Sequence, residues 1–131
     1  MTTFSEFMQT RAVAAEAYSQ GRAGEVIALS TAREPASFFG PDGKSVRGVD
    51  AVRDDYRAAA ERFGPNGSNA FKIVHMAEGG DVAYWSGLQE AVVESDGKPL
   101  PMTLRITELF RREGGSWKLV HRHADFLKSG A

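Results

Sequence analysis

The segment Ser116-Trp-Lys-Leu-Val-His-Arg-His-Ala-Asp-Phe126 holds the densest group of side chains able to do chemistry in this sequence. As an extended strand, with side chains alternating between faces, it sets Trp117, Leu119, His121, His123 and Asp125 on one side. A carboxylate two residues from an imidazole can orient the ring or act with it through a water, so His123 and Asp125 are the candidate acid/base pair. The two imidazoles and the carboxylate could instead converge on a cation, with His75 as a further ligand. That spacing is generic, a catalytic metal usually takes three protein ligands in tight geometry, and the chain has 3 histidines and no cysteine, so no metal site is assigned.

A second group lies upstream. Thr103, Arg105, Thr107 and Leu109 share one face of their strand, opposite Met102, Leu104, Ile106 and Phe110. Arg105 beside Thr107 could line a cavity and clamp a carboxylate through two parallel hydrogen bonds. Glu90 shares a face with Tyr84, Ser86 and Leu88 unless Gly87 slips the register, which would present Trp85 and Gln89 instead. Tyr18, Phe39, Tyr56, Trp85, Glu90, Arg105 and Thr107 are therefore the candidate substrate-binding residues. At least two of Tyr18, Phe39, Tyr56, Arg105 and His123 are expected to line one concave pocket.

These side chains need elements to position them. Phe4, Phe7, Met8, Arg11, Ala15 and Tyr18 recur at helical spacing over residues 4–20, and Gly21 and Gly24 bracket the end. Residues 25–30 read as a short second helix. Residues 36–39 read as a strand cut by Gly40-Pro-Asp-Gly43, with residues 45–47 as its partner. Asp50 reads as the N-cap of a third helix carrying Val52, Tyr56, Ala59 and Phe63, closed by Gly64-Pro-Asn-Gly67. From Asn69 the period becomes two. The turns Glu78-Gly-Gly-Asp81, Asp96-Gly97 and Glu113-Gly-Gly-Ser116 then divide the rest into a four-strand antiparallel meander. The strand over residues 82–94 is long, so Gly87 predicts a bend or bulge that lets the sheet curl. The expected fold class is α+β: a cone-shaped single domain over residues 1–131, its curled antiparallel sheet wrapped over three N-terminal helices.

Composition narrows the partners. The chain has 131 residues, 25% of them charged and 42% hydrophobic, with a formal net charge of -1. That balance gives no reason to expect nucleic acid or an anionic membrane surface. Without cysteine, disulfides and thiolate catalysis are excluded. No apolar run approaches the ~20 residues of a spanning helix. The N-terminus lacks the basic-then-apolar order of a signal peptide, so a cytoplasmic location is expected by default. A homodimer is expected through the outer face of the meander, with Leu104, Phe110, Val120 and Phe126 as its apolar patch.

Three strings, in this order, carry a family resemblance: Ala17-Tyr-Ser-Gln-Gly21; Phe38-Phe-Gly-Pro41 with Arg47-Gly48; and Leu109-Phe-Arg-Arg-Glu-Gly-Gly-Ser-Trp-Lys-Leu-Val-His-Arg-His123. Over roughly residues 4–127 the chain resembles the nuclear transport factor 2-like superfamily, and within it the SnoaL-like, ketosteroid-isomerase-like branch. The tryptophan after a glycine hairpin, followed by His-x-His, is the most specific feature. The resemblance implies a cone with a ligand cavity. It does not carry over the isomerase's chemical groups: its tyrosine falls at about Ala14, its aspartate base at Gly40, and its third acid near Thr107 or Glu108. The arginines of the kinase association domain fall near Ser86, Thr107 and Ala124. Some SnoaL-like cyclases use a late-strand aspartate as their acid, which the resemblance places at Asp125. The expected function is binding of a small organic molecule, with cofactor-free acid/base turnover (isomerisation, dehydration, cyclisation or hydrolysis) in the same cavity. The competing expectation is a non-catalytic ligand-binding or assembly module, since this fold hosts both.

Overall fold

The computed structural model describes residues 2–128. Helix α1 (Phe4–Ser19) begins at a capping box, in which the Thr3 side chain accepts from the Glu6 backbone N–H and Glu6 returns the bond. It ends at Gly21, whose φ of +86° and closeness to the Phe63 carbonyl leave no room for a side chain. Helix α2 (Gly24–Leu29), strands β1 (Ser37–Phe39) and β2 (Ser45–Arg47), and helix α3 (Val49–Ala60) follow. Asp50 is not the N-cap of α3; that position is Gly48, at φ +102°, and Asp50 stands in the first turn. There its carboxylate complements the positive end of the helix dipole.

Strands β3 (Ser68–Gly79), β4 (Val82–Ser95), β5 (Lys98–Glu113) and β6 (Ser116–Phe126) form the expected meander. They belong to a six-stranded sheet in the order β2-β1-β6-β5-β4-β3, with β1 parallel to β6 and the other pairs antiparallel. The sheet curls without closing and wraps its concave face over the helices. Phe4 and Phe7 from α1 meet Phe110 at ring-centroid distances of 5.1 and 5.4 Å, and Trp117 meets Phe4 edge-on at 5.6 Å. Burying these rings fixes α1 on the sheet. Among the described residues no helix is long and apolar enough to cross a membrane.

Two bulges decide which side chains face inward. The first lies in β3, where Ile73 pairs with Gly87 and His75 with Ser86, leaving Val74 over. A Cβ on Gly87 would sit 2.0 Å from the Lys72 carbonyl oxygen, so the glycine admits the bulge while β4 keeps its own parity. The second lies in β6, where Leu109 pairs with His121 but Phe110 with Leu119, leaving Val120 over. It breaks the expected single face of that strand. Trp117 and Leu119 point into the core, and beyond the bulge the inward positions are Arg122 and Ala124, not His123 and Asp125.

Candidate functional site in the cone

A cavity of about 250 Å³ lies between α1, α3, β1 and the inner faces of β4, β5 and β6. Tyr18 and Tyr56 both line it, from α1 and α3, with their rings edge-on at 5.6 Å. Phe38 stacks on Tyr56 at 5.9 Å and, with Val26, Ala59 and Leu104, supplies apolar wall. The polar floor comes from Arg11, Gln89 and Arg122. Phe126, Arg62 and Asp42 are exposed, so they stand at the mouth.

Behind the floor is an ion cluster shut off from water. Glu108 is fully buried; its Oε1 accepts from Arg11 Nε at 3.0 Å and Trp85 Nε1 at 2.8 Å. Its Oε2 accepts from Arg11 Nη2 and Arg122 Nη1, each at 2.8 Å. Arg122 Nη2 continues to Gln89 Oε1 at 2.6 Å, and Gln89 Nε2 to Asn69 Oδ1 at 2.6 Å. Burial alone would push the Glu108 carboxyl up, but the two guanidiniums and their hydrogen bonds hold it at about 2. A carboxylate with all its acceptor positions filled neither gives nor takes a proton, so Glu108 positions the arginines. Tyr18 and Tyr56 are shifted upward, chiefly by burial and against the pull of Arg122, which keeps both phenols neutral and able to donate.

The expected set divides between the two faces of the sheet. Tyr18 and Tyr56 come together in the cavity. Trp85 points inward as well, but its indole is buried under the floor as a donor to Glu108 and is not a wall. Phe39, Glu90, Arg105, Thr107, His123 and Asp125 project from the opposite, outer face, which corrects their placement in a cone cavity. The physical reason is parity. Leu104, Ile106 and Phe110 take the inward positions of β5 and carry Glu108 with them, turning Arg105 and Thr107 out.

On that outer face Arg105 grips Asp125 through Nε and Nη2 at 2.6 and 2.7 Å, in the open, and this bond holds the Asp125 carboxyl below its ordinary range. Lys72 pairs with Glu90 at 2.9 Å. His123 lies with Arg105, Thr107 and Asp125 along a shallow depression. His121 Nδ1 is 2.7 Å from Ser37 Oγ, and burial, reinforced by neighbouring His123, pushes its pKa down. Among the described residues no three His, Cys, Asp or Glu side chains converge. The apolar patch expected for a dimer is also corrected: Leu104 and Phe110 are core and Phe126 flanks the cavity mouth, while Phe39, Val74 and Leu109 are among the exposed apolar residues of the outer face.

The expected site omits Arg11, Glu108 and Arg122. Each leaves a signal: an arginine on the apolar stripe of α1, an acid on the apolar parity of β5, and an arginine among histidines. Only the third is obscured, because the bulge at Val120 reverses its face.

A curled, unclosed sheet wrapped over N-terminal helices, with a cavity between them, defines the cone class of α+β domains. Residues 8–127 match the sequence model of the SnoaL-like domain, and the chain belongs to that family. Among solved structures it is similar to a protein provisionally assigned as a dehydratase of the nuclear transport factor 2-like family from Streptomyces avermitilis, with 16% identity, TM-score 0.79, and 96% of this chain and 97% of that one covered. It is also similar to the calmodulin-dependent kinase II hub homology domain of Chlamydomonas reinhardtii, with 18% identity, TM-score 0.74, and 97% and 100% covered. At these identities the likeness is one of fold. No curated protein matches the sequence.

Proposed function

We propose that this chain binds a small organic molecule inside the cone, between the two tyrosines and the arginine floor. The observation that carries this reading is the cavity itself: an unfilled space of about 250 Å³ with apolar walls and convergent polar groups at one end. Sites for small molecules typically have that composition. Native mass spectrometry of the gently purified protein tests the proposal. A retained small-molecule mass that disappears in Ala59→Trp, which fills the cavity, is the expected result. Retention in the filled variant contradicts it.

Cofactor-free acid/base turnover is a second reading, favoured by the neutral Tyr18 and Tyr56 hydroxyls beside the arginines. Two O–H donors and a cationic floor suit stabilisation of a developing oxyanion. A homodimer through the outer face is proposed alongside, on the strength of Val74 and Leu109, which are 72% and 41% exposed. In it His123 and Asp125 belong to the contact between subunits. Sedimentation as a folded monomer at micromolar concentration removes that part.

A further inference from the structure

The charges around the cavity do not cancel at its floor. Arg11 and Arg122 share one carboxylate, Glu108, whose acceptor positions are occupied by four donors. The other contacts of Arg122 carry no counter-charge: it donates to the neutral Gln89 and lies over the Phe38 ring at 5.8 Å. One positive charge is therefore uncompensated in a place where both guanidiniums are more than nine-tenths buried. Arg11 adds to the deficit: its guanidinium lies over the Phe71 ring at 5.4 Å, and its Nη1 is buried with no hydrogen-bond partner among the described residues. Buried polar groups of native proteins are nearly always paired, and a buried charge without a counter-charge is costlier still. At the mouth Lys44 and Arg62 are matched by Asp42 and by Asp55, which bonds Lys44 at 3.0 Å. The excess is local to the floor.

Given the cavity as the binding site, we infer that its ligand is a small monocarboxylate, its carboxylate held at the cationic floor lined by Arg11 and Arg122 and its apolar body against Phe38, Ala59 and Leu104. One unit of excess charge suits a monoanion better than a phosphate dianion. The forks of both arginines are already engaged by Glu108 and Gln89, so the floor would act on a carboxylate chiefly through its net positive charge. Tyr18 and Tyr56, neutral and within electrostatic reach of the arginines, add hydroxyl donors at the same end. The walls then exclude water from the rest of the molecule. A cavity of about 250 Å³ suits a small molecule.

Titration calorimetry with hexanoate, its neutral analogue hexanamide, and inorganic phosphate tests this, on the unaltered chain and on Arg11→Gln and Tyr18→Phe. Hexanoate is expected to bind at least about tenfold more tightly than hexanamide, with phosphate silent. Arg11→Gln should erase that preference. Tyr18→Phe keeps the ring packed on Tyr56 and Phe63 and so keeps the test alive if the arginine variant fails to fold. It should weaken hexanoate a few-fold and hexanamide less. Equal binding of acid and amide would overturn the carboxylate and leave the cavity reading standing. Phosphate binding as tightly as hexanoate would overturn the apolar body. Hexanoate binding unchanged in both variants would place the anion elsewhere on the protein. No binding of any member of the series would overturn both readings.

Discussion

The two faces of the sheet carry nearly the same ion pair in opposite surroundings. Inside, Arg11 meets Glu108 through Nε and Nη2 at 3.0 and 2.8 Å; outside, Arg105 meets Asp125 through the same atoms at 2.6 and 2.7 Å. The inner side chains are 3% and 0% exposed, the outer ones 62% and 40%. Bidentate geometry is thus no guide to importance. Outside, water and salt screen the charges and can replace the partner. Inside, each group depends on the others, because nothing else can solvate it. A pair that looks better by distance alone is the less consequential one.

Breaking the inner cluster should have the largest effect. Glu108→Gln leaves two arginines buried with no counter-charge and should cost about 3–5 kcal/mol in urea unfolding, or abolish folding. Asp125→Asn, the matching change outside, should leave the unfolding midpoint within experimental error. Equal effects would erase the distinction between the faces.

Acid should reveal the same asymmetry without mutation. Glu108 is held at about 2 in the folded protein against 4.5 for the ordinary group, so below pH 4.5 the unfolded chain binds the extra proton. Its contribution is complete above pH 4.5 and is lost as pH falls towards 2, on the order of 3 kcal/mol in all. Unfolding midpoints followed from pH 6 to pH 2 should drop steeply in that window. A flat profile would mean that the cluster is not water-excluded.

The bulge that seats β3 against β4 offers a slightly smaller test. In Gly87→Ala the new methyl meets the Lys72 carbonyl at 2.0 Å and the Val74 nitrogen at 2.9 Å, both backbone atoms that cannot swing aside. Destabilisation of about 1–3 kcal/mol is expected from such overpacking. A neutral outcome would show that the bulge relaxes.

The smallest effect belongs to His121 on the outer face. Burial lowers its pKa below the ordinary 6.5, so the unfolded chain takes up the proton first and stability falls as pH drops below that value. Partial exposure keeps this loss small. His121→Gln should flatten the profile just below pH 6.5 and leave the steep acid limb in place.

The fold was legible in the sequence because periodicity and turn chemistry speak locally. The apolar spacing of residues 4–20, Asp96-Gly97 and the paired glycines 114 and 115 each announce an element within a few residues. Asp96, Gly97, Gly114 and Gly115 do stand at positive φ, as such two-residue turns require. The cavity tyrosines were legible for the same reason, as large residues on the inward stripes of two helices. The ion cluster was not. Its members are 97 and 14 residues apart in the chain, and no local pattern joins Arg11 to Glu108 or Glu108 to Arg122. Val120 completed the misreading: one extra residue in β6 turns Arg122 inward and His123 outward, and alternation read without the bulge gives the reverse. The polar residues that stand out in the sequence are the exposed ones, while the polar residues that matter to the cavity sit in apolar company.

The division of labour between the faces can be tested in one comparison: hexanoate binding isotherms for Arg11→Gln and Arg105→Ala, recorded beside the unaltered protein. Affinity reduced by at least about tenfold in Arg11→Gln and unchanged in Arg105→Ala is the expected result. Loss of binding in Arg105→Ala with Arg11→Gln unaffected would place the site on the outer face and contradict it.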